Sequence, residues 1–175
     1  LSSFHGIYKL IKTGERRQDL EITFYPKQNF EDNLSRVTSI ISKDESSLWL
    51  GTDEALFDFN KLTGQYSKFV PADTAVANTL GSEIWTLHRD QQGTVWIATL
   101  SGLLKWGSEA DEPEIVSTLG SNTFDFRGQP TQSITESIDG ILHFGISGDI
   151  GALMYDSNSQ EVTIFKHDEA NINTI

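Results

Sequence analysis

A five-residue stretch recurs at a fixed interval. Leu48-Trp49-Leu50-Gly51-Thr52, Val95-Trp96-Ile97-Ala98-Thr99 and Leu142-His143-Phe144-Gly145-Ile146 begin at positions 48, 95 and 142, a spacing of 47 residues each time. A period of this size constrains the fold more than any local propensity. It marks one supersecondary unit copied along the chain, whose apolar faces are buried only when copies stack.

The match extends in both directions. Upstream lie alternating segments that end in turns: Val37 to Asp44, Ile84 to Asp90 and Ser133 to Gly140. Asp and Gly belong in such turns, because a tight reversal needs a side chain that bonds its own backbone and a residue tolerant of positive φ. Asp44 and Asp90 are therefore read as structural turn residues. Downstream come a third short strand (Ala55–Asn60, Gly102–Trp106, Ala152–Asp156) and a fourth (Tyr66–Val70, Glu114–Ser117, Glu161–Phe165). Four antiparallel strands in a unit of about 40–50 residues describe a β-propeller blade. Trp49, Trp96 and Gly51 occupy repeat positions, so they are expected to pack blade against blade rather than to form a sugar-binding platform with Trp85 and Trp106.

The spacing V-x-x-I-x-x-D, L-W-L-G-T, L-F-D-F-N and T-G-Q-Y-x-x-F, carried by Val37 to Phe69, resembles the two-component regulator propeller repeat. The copy from Ile84 to Trp106 follows it with Ala98 at the Gly position. The copy from Ile134 to Phe165 diverges, with His143 at the Trp position and a longer loop, Gly148-Asp149-Ile150-Gly151. Gly6–Leu10 and Glu21–Tyr25 align with a third and a fourth strand, so the first blade is expected to lack its first two strands. The expectation is an all-β chain of about three and a half blades: a partial blade over 1–33, then blades over 34–80, 81–130 and 131–175. Propellers have about four to eight blades. The chain is thus expected to be a piece of a larger ring, with the remaining blades as partners, or a half-ring that pairs with a second copy as a homodimer.

The resemblance implies the periplasmic sensor region of a bacterial inner-membrane signalling protein of the two-component type. It also implies a small-molecule or oligosaccharide ligand. A histidine kinase or diguanylate cyclase output would lie elsewhere in the parent, and this segment would not itself be an enzyme. No cofactor is implied. A propeller enzyme, such as a polysaccharide lyase or glycosidase, and a protein-interaction scaffold are the alternatives.

Composition narrows the chemistry. A net charge of −12 opposes a nucleic-acid surface, which needs clustered Lys and Arg. The one basic cluster, Lys12 to Arg17, is interrupted by Glu15. The run from Glu109 to Glu114 contains Pro113 and reads as an exposed turn. With no cysteine, disulfides and thiolate metal sites are excluded. His5, His88, His143 and His167 share no metal-ligand spacing, so no metal site is expected, and His143 reads as a packed histidine. His88-Arg89-Asp90 spells a kinase catalytic triplet, but Val95 stands where that motif needs Asn. Phe124-Asp125-Phe126-Arg127 lacks the Gly of a magnesium-binding motif, and in Gly145-Ile146-Ser147-Gly148 the second Gly follows the Ser too closely for a nucleophile elbow. No stretch has convincing helical period.

A ligand would be met by loops at one rim. The loops between second and third strands, and those joining blades (Pro71 to Asn78, Gly120 to Gly128), leave the same side of the repeat. Asp53, Glu54, Ser101, Ser147 and Asp149 are the candidate ligand-binding residues there.

Overall fold

The computed structural model describes residues 2–3, 6–13, 20–26, 36–120, 124–148 and 150–166. The fold is nearly all β. Sheet one holds β1 (Ser2–Ser3), β2 (Gly6–Lys12) and β3 (Leu20–Pro26) in that order. Sheet two holds β4 (Val37–Ser42), β5 (Ser47–Thr52), β6 (Leu56–Asn60) and β7 (Tyr66–Lys68). After helix α1 (Thr74–Leu80) comes sheet three, with β8 (Ile84–Arg89), β9 (Val95–Thr99), β10 (Gly102–Trp106) and β11 (Glu114–Ile115). A two-stranded ribbon, β12 (Thr118–Leu119) and β13 (Phe124–Asp125), precedes sheet four: β14 (Thr131–Glu136), β15 (Ile141–Ile146), β16 (Gly151–Asp156) and β17 (Glu161–Phe165). Every strand pairs antiparallel with its sequence neighbour in its sheet, which is the expected blade topology. These are blades of a partial propeller.

Two expectations need correction. Ser2 and Ser3 pair with Ile7 and Gly6, so the first sheet retains a short piece of its second strand. Two residues carry no periodicity that could announce a strand. The connection after β7 is not a plain loop but α1. Asp73 caps it, its carboxylate accepting the N–H groups of Ala75 (2.7 Å) and Val76 (3.0 Å), and Gly81 closes it. Seven residues are too few for a helical period to show in sequence, yet Val76 and Leu80 are buried against sheet three.

In sheets two and three the second strand is apolar on both faces, and this stacks the blades. In β5, Leu50 enters the core between sheets one and two, with Ile7, Phe57 and Phe59. Its neighbour Trp49 enters the core between sheets two and three, with Leu87, Ile97 and Leu104. The next repeat does the same: Ile97 points back, while Trp96 points forward to Phe144 and Tyr155 in sheet four. Alternation by one residue thus sends adjacent side chains into different cores. Gly51 permits the close approach of sheets two and three, since a Cβ there would stand 2.7 Å from Ile84 Cγ2.

The inner strands β4, β8 and β14 lie side by side. Polar groups at the repeat spacing tie them. The Thr38 hydroxyl bridges the carbonyls of Gly51 and Ile84, and Ser39 Oγ accepts the N–H of Leu87 at 2.9 Å. Thr86 Oγ1 donates to the Gln132 carbonyl at 3.0 Å, and Arg89 to that of Ser42 at 3.0 Å. The Glu136 carboxylate accepts the Gln91 N–H at 3.1 Å and lies 3.4 Å from His88 Nε2. Each inner strand also carries a bulge at one register: between Val37 and Ser39, Ile84 and Thr86, and Thr131 and Ser133.

Asp90 and Asp44 organise the turns, as expected. Buried Asp90 accepts the indole N–H of Trp96 at 2.8 Å and the N–H groups of Gln92 and Thr94. The triplet His88-Arg89-Asp90 is thereby accounted for as a strand end running into its turn. Asp44 accepts from both the hydroxyl and the backbone of Ser47 and of Ser46. Those bonds, the Ser47 hydroxyl first, hold its carboxyl well below the usual carboxylate range. The Asn158 N–H, then the Ser159 hydroxyl, lower that of Asp156.

Two outcomes test this frame. Gly51→Ala is expected to cost about 1–3 kcal/mol, because the methyl must displace Ile84 in a packed interface; chemical denaturation measures it. Asp44 and Asp156 are depressed in the folded state, so their contribution is complete above the unfolded carboxylate value of about 4 and fades as pH falls below it. An acid titration of stability should show that loss, with a shallower slope in Asp44→Asn.

Candidate functional site

The rim opposite the Asp44 and Asp90 turns is built from the β5–β6, β9–β10 and β15–β16 loops and the connections between sheets. One backbone hydrogen bond recurs in all three loops. Asp53 N–H donates to Arg36 O (3.3 Å), Leu100 N–H to Glu83 O (2.9 Å) and Ser147 N–H to Pro130 O (2.9 Å). Each loop is thus tied to the residue that enters its own inner strand.

A threonine sets the loop shape in the first two repeats. Thr52 Oγ1 donates to Ala55 O (2.8 Å) and accepts from the N–H groups of Ala55 and Glu54. Thr99 Oγ1 donates to Gly102 O (2.9 Å) and accepts from Ser101 N–H (3.1 Å). Both are fully buried, so a hydroxyl is satisfied where water cannot serve it. The third repeat has Ile146 at this position, and its loop runs over 147–150 instead of 100–101.

The expected ligand-binding residues fall on these loops. Asp53 and Glu54 are adjacent, Glu54 exposed and Asp53 half-buried with one carboxylate oxygen, Oδ1, buried and without a hydrogen-bond partner among the described residues. Ser101 is exposed on the next loop and Ser147 half-buried on the third. Asp149 lies outside the described residues. The four that are described therefore lie on loops of three separate sheets along one rim. An ion pair that sequence could not announce, Arg36 with Glu83, bridges sheets two and three beside Asp53. Its signal was present only as two opposite charges 47 positions apart.

The connections are more structural than expected. Leu119 and Phe126, on the long segment between sheets three and four, are buried in the core there. Its Asp125 carboxyl is lowered to about 2, chiefly by the Arg127 guanidinium that donates to it. Under α1 lies a cavity of about 230 Å³ lined by Leu56, Phe69, Val70, Pro71 and Leu80. That is below the range of typical ligand pockets. Among the described residues no group of three or more His, Asp or Glu is placed to hold a metal ion. Trp49 and Trp96 are buried between sheets, as their repeat position implies. Trp106 is packed on Trp49 and Phe69, with its N–H on the Ala110 carbonyl. Trp85 belongs to none of the three cores.

Residues 80–101, which span the last residue of α1, β8, β9 and the start of the rim loop, match the family model of the two component regulator propeller. The chain carries a two component regulator propeller repeat. The matched copy is the second of those that share the 47-residue spacing. No curated protein matches the sequence.

Among solved structures, this chain superposes on the extracellular domain assigned to the hybrid two component system BT3049 from B. thetaiotaomicron, with a TM-score of 0.67 and 16% identity over 99% of this chain. The corresponding BT4673 domain from the same organism gives 0.66 and 18% over 99%. The chain spans 20% and 21% of the length of those two domains. Virginiamycin B lyase from Staphylococcus aureus gives 0.50 and 12%, with 76% of this chain on 42% of the lyase. At these identities the likeness establishes the fold.

The rim geometry separates scaffold from surface. Thr99→Val should cost about 1–2 kcal/mol, since it strands the Ser101 N–H and the Gly102 carbonyl. Ser101→Ala should stay within about 0.5 kcal/mol, because its exposed hydroxyl closes nothing. Thermal melts of the two variants measure the contrast.

Proposed function

We propose that this chain is the ligand-sensing propeller segment of an extracytoplasmic signalling region, and not itself an enzyme. The observation that carries the reading is the regulator propeller repeat at 80–101, set in a fold shared with extracellular domains assigned to hybrid two component systems. In this reading the parent is a bacterial inner-membrane protein with the propeller on its periplasmic side. Its output is a histidine kinase or a diguanylate cyclase. No helix among the described residues is long and apolar enough to cross a membrane, so an anchor would be supplied by another part of the parent.

A small molecule or oligosaccharide meets the rim at Asp53, Glu54, Ser101, Ser147 and Asp149. Asp53, Glu54 and Ser101 sit on loops shaped by buried Thr52 and Thr99, and Ser147 on one tied by the recurring backbone bond, so these positions are free to vary in chemistry without loss of the blade.

The partners in this reading are the flanking blades of the parent. On sheet one, Ile22, Phe24 and Tyr8 are exposed, and the two rings are stacked with centroids 4.5 Å apart. On sheet four, His143 sits where Trp49 and Trp96 face the following sheet, and its Nδ1 is buried without a hydrogen-bond partner among the described residues. Both faces have the chemistry of blade interfaces, and a second copy of the chain would be the other way to cover them.

Lengthening the chain by one complete repeat at either end distinguishes these. Flanking blades predict a higher melting temperature and a monomer by light scattering. If the 175-residue chain is dimeric and gains nothing on lengthening, paired copies replace flanking blades.

A further inference from the structure

Helix α1 bridges sheets two and three without filling the space beneath it. Val76 and Leu80 pack into the core that those sheets share. Ala77, the next residue round the helix from Val76, lines the cavity of about 230 Å³ instead. A single methyl at that position leaves volume that a larger side chain would occupy. Ala55, Leu56 and Phe69 line the cavity from sheet two, and Lys68 and Val70, both exposed, form its outer edge. None of Asp53, Glu54, Ser101 and Ser147 is among the lining residues.

Size and lining select the ligand. The volume is too small for a drug-sized molecule, but one ring fits: a cavity of about 150 Å³ lined by Leu, Ile and Phe takes up benzene. Phe69 already belongs to an aromatic cluster, with its ring centroid 5.5 Å from that of Trp49 and 4.9 Å from that of Trp106. A ligand ring against Phe69 would extend that cluster. Lys68 is the one charged residue in the lining, and among the described residues it makes no ion pair. The carboxylates on and against the same connection are engaged elsewhere: Asp73 accepts the N–H groups of Ala75 and Val76, and Glu112 accepts that of Ala72 at 2.9 Å. A cationic ligand would meet the Lys68 ammonium with no counter-charge. A sugar would bring hydroxyls to a wall of methyl and phenyl groups that cannot bond them. A neutral arene would leave the ammonium unused.

We propose that this cavity binds a single-ring aryl carboxylate, with the ring under α1 and the carboxylate at Lys68. The site is distinct from the rim residues and does not depend on the ligand-sensing reading.

The test titrates the full-length parent with phenylacetate and with its neutral counterpart, phenylacetamide. Calorimetry reports binding, and so does indole fluorescence, because Trp49 and Trp106 touch Phe69. Phenylacetate should bind saturably with a Kd of about 0.1–10 mM, and phenylacetamide about fivefold more weakly. Lys68→Met should abolish that preference and leave the affinity for the amide unchanged. Ala77→Leu, which puts its side chain into the cavity, should weaken both ligands by about tenfold or more without lowering the melting temperature. The site is refuted if phenylacetate does not bind saturably, if Ala77→Leu binds it as tightly as the parent does, or if the parent binds acid and amide equally. Should Ala77→Leu fail to fold, the exposed Lys68→Met decides alone: a lost preference supports the site and a retained one overturns it.

Discussion

The stacking of sheets two, three and four depends on second strands, β5 and β9, that are apolar on both faces. A strand of that kind cannot end at solvent on either side. Leu50 and Ile97 are fully buried against the preceding sheet, and Trp49 and Trp96 are buried against the following one. Burying a large side chain on each face is worth about 1.5–3 kcal/mol apiece, so stacking is the only arrangement that collects both terms. The remaining features serve that stacking. Gly51 lets the sheets close in, Asp90 holds the Trp96 indole in place, and the inner-strand hydroxyls satisfy carbonyls that an edge strand would leave bare.

Strand identity was legible because Leu48 to Thr52 and its copies repeat both a pattern and an interval. The short helix was not, although its caps were in plain view: Asp73 before and Gly81 after. Seven residues between two strands make a turn and a helix look alike in periodicity, and caps alone do not separate the two. The bulges left a trace as well. Val37 and Ile40 enter the same core three positions apart, as do Ile84 and Leu87, where a regular strand would use two.

The rim was legible as a place and only partly as chemistry. Asp53, Ser101 and Ser147 lie on the loops at one end of their sheets. What they do there depends on Thr52 and Thr99, whose hydroxyls look like ordinary strand residues until the loop is seen folded over them. The Arg36–Glu83 pair and the buried Asp53 oxygen are matters of distance between repeats, which no single repeat encodes.

The polar ties between inner strands join residues 46 to 48 positions apart. Each sheet therefore closes a loop of the same size when it docks, and the entropy of closure is the same at every step. Such a chain has no single long-range contact whose formation must wait for all others. It behaves as a row of units coupled to nearest neighbours, in which order propagates from any formed pair and the end units have one coupling where the inner units have two. A strain introduced in one blade is accordingly shared with the blades on either side before it reaches the rest.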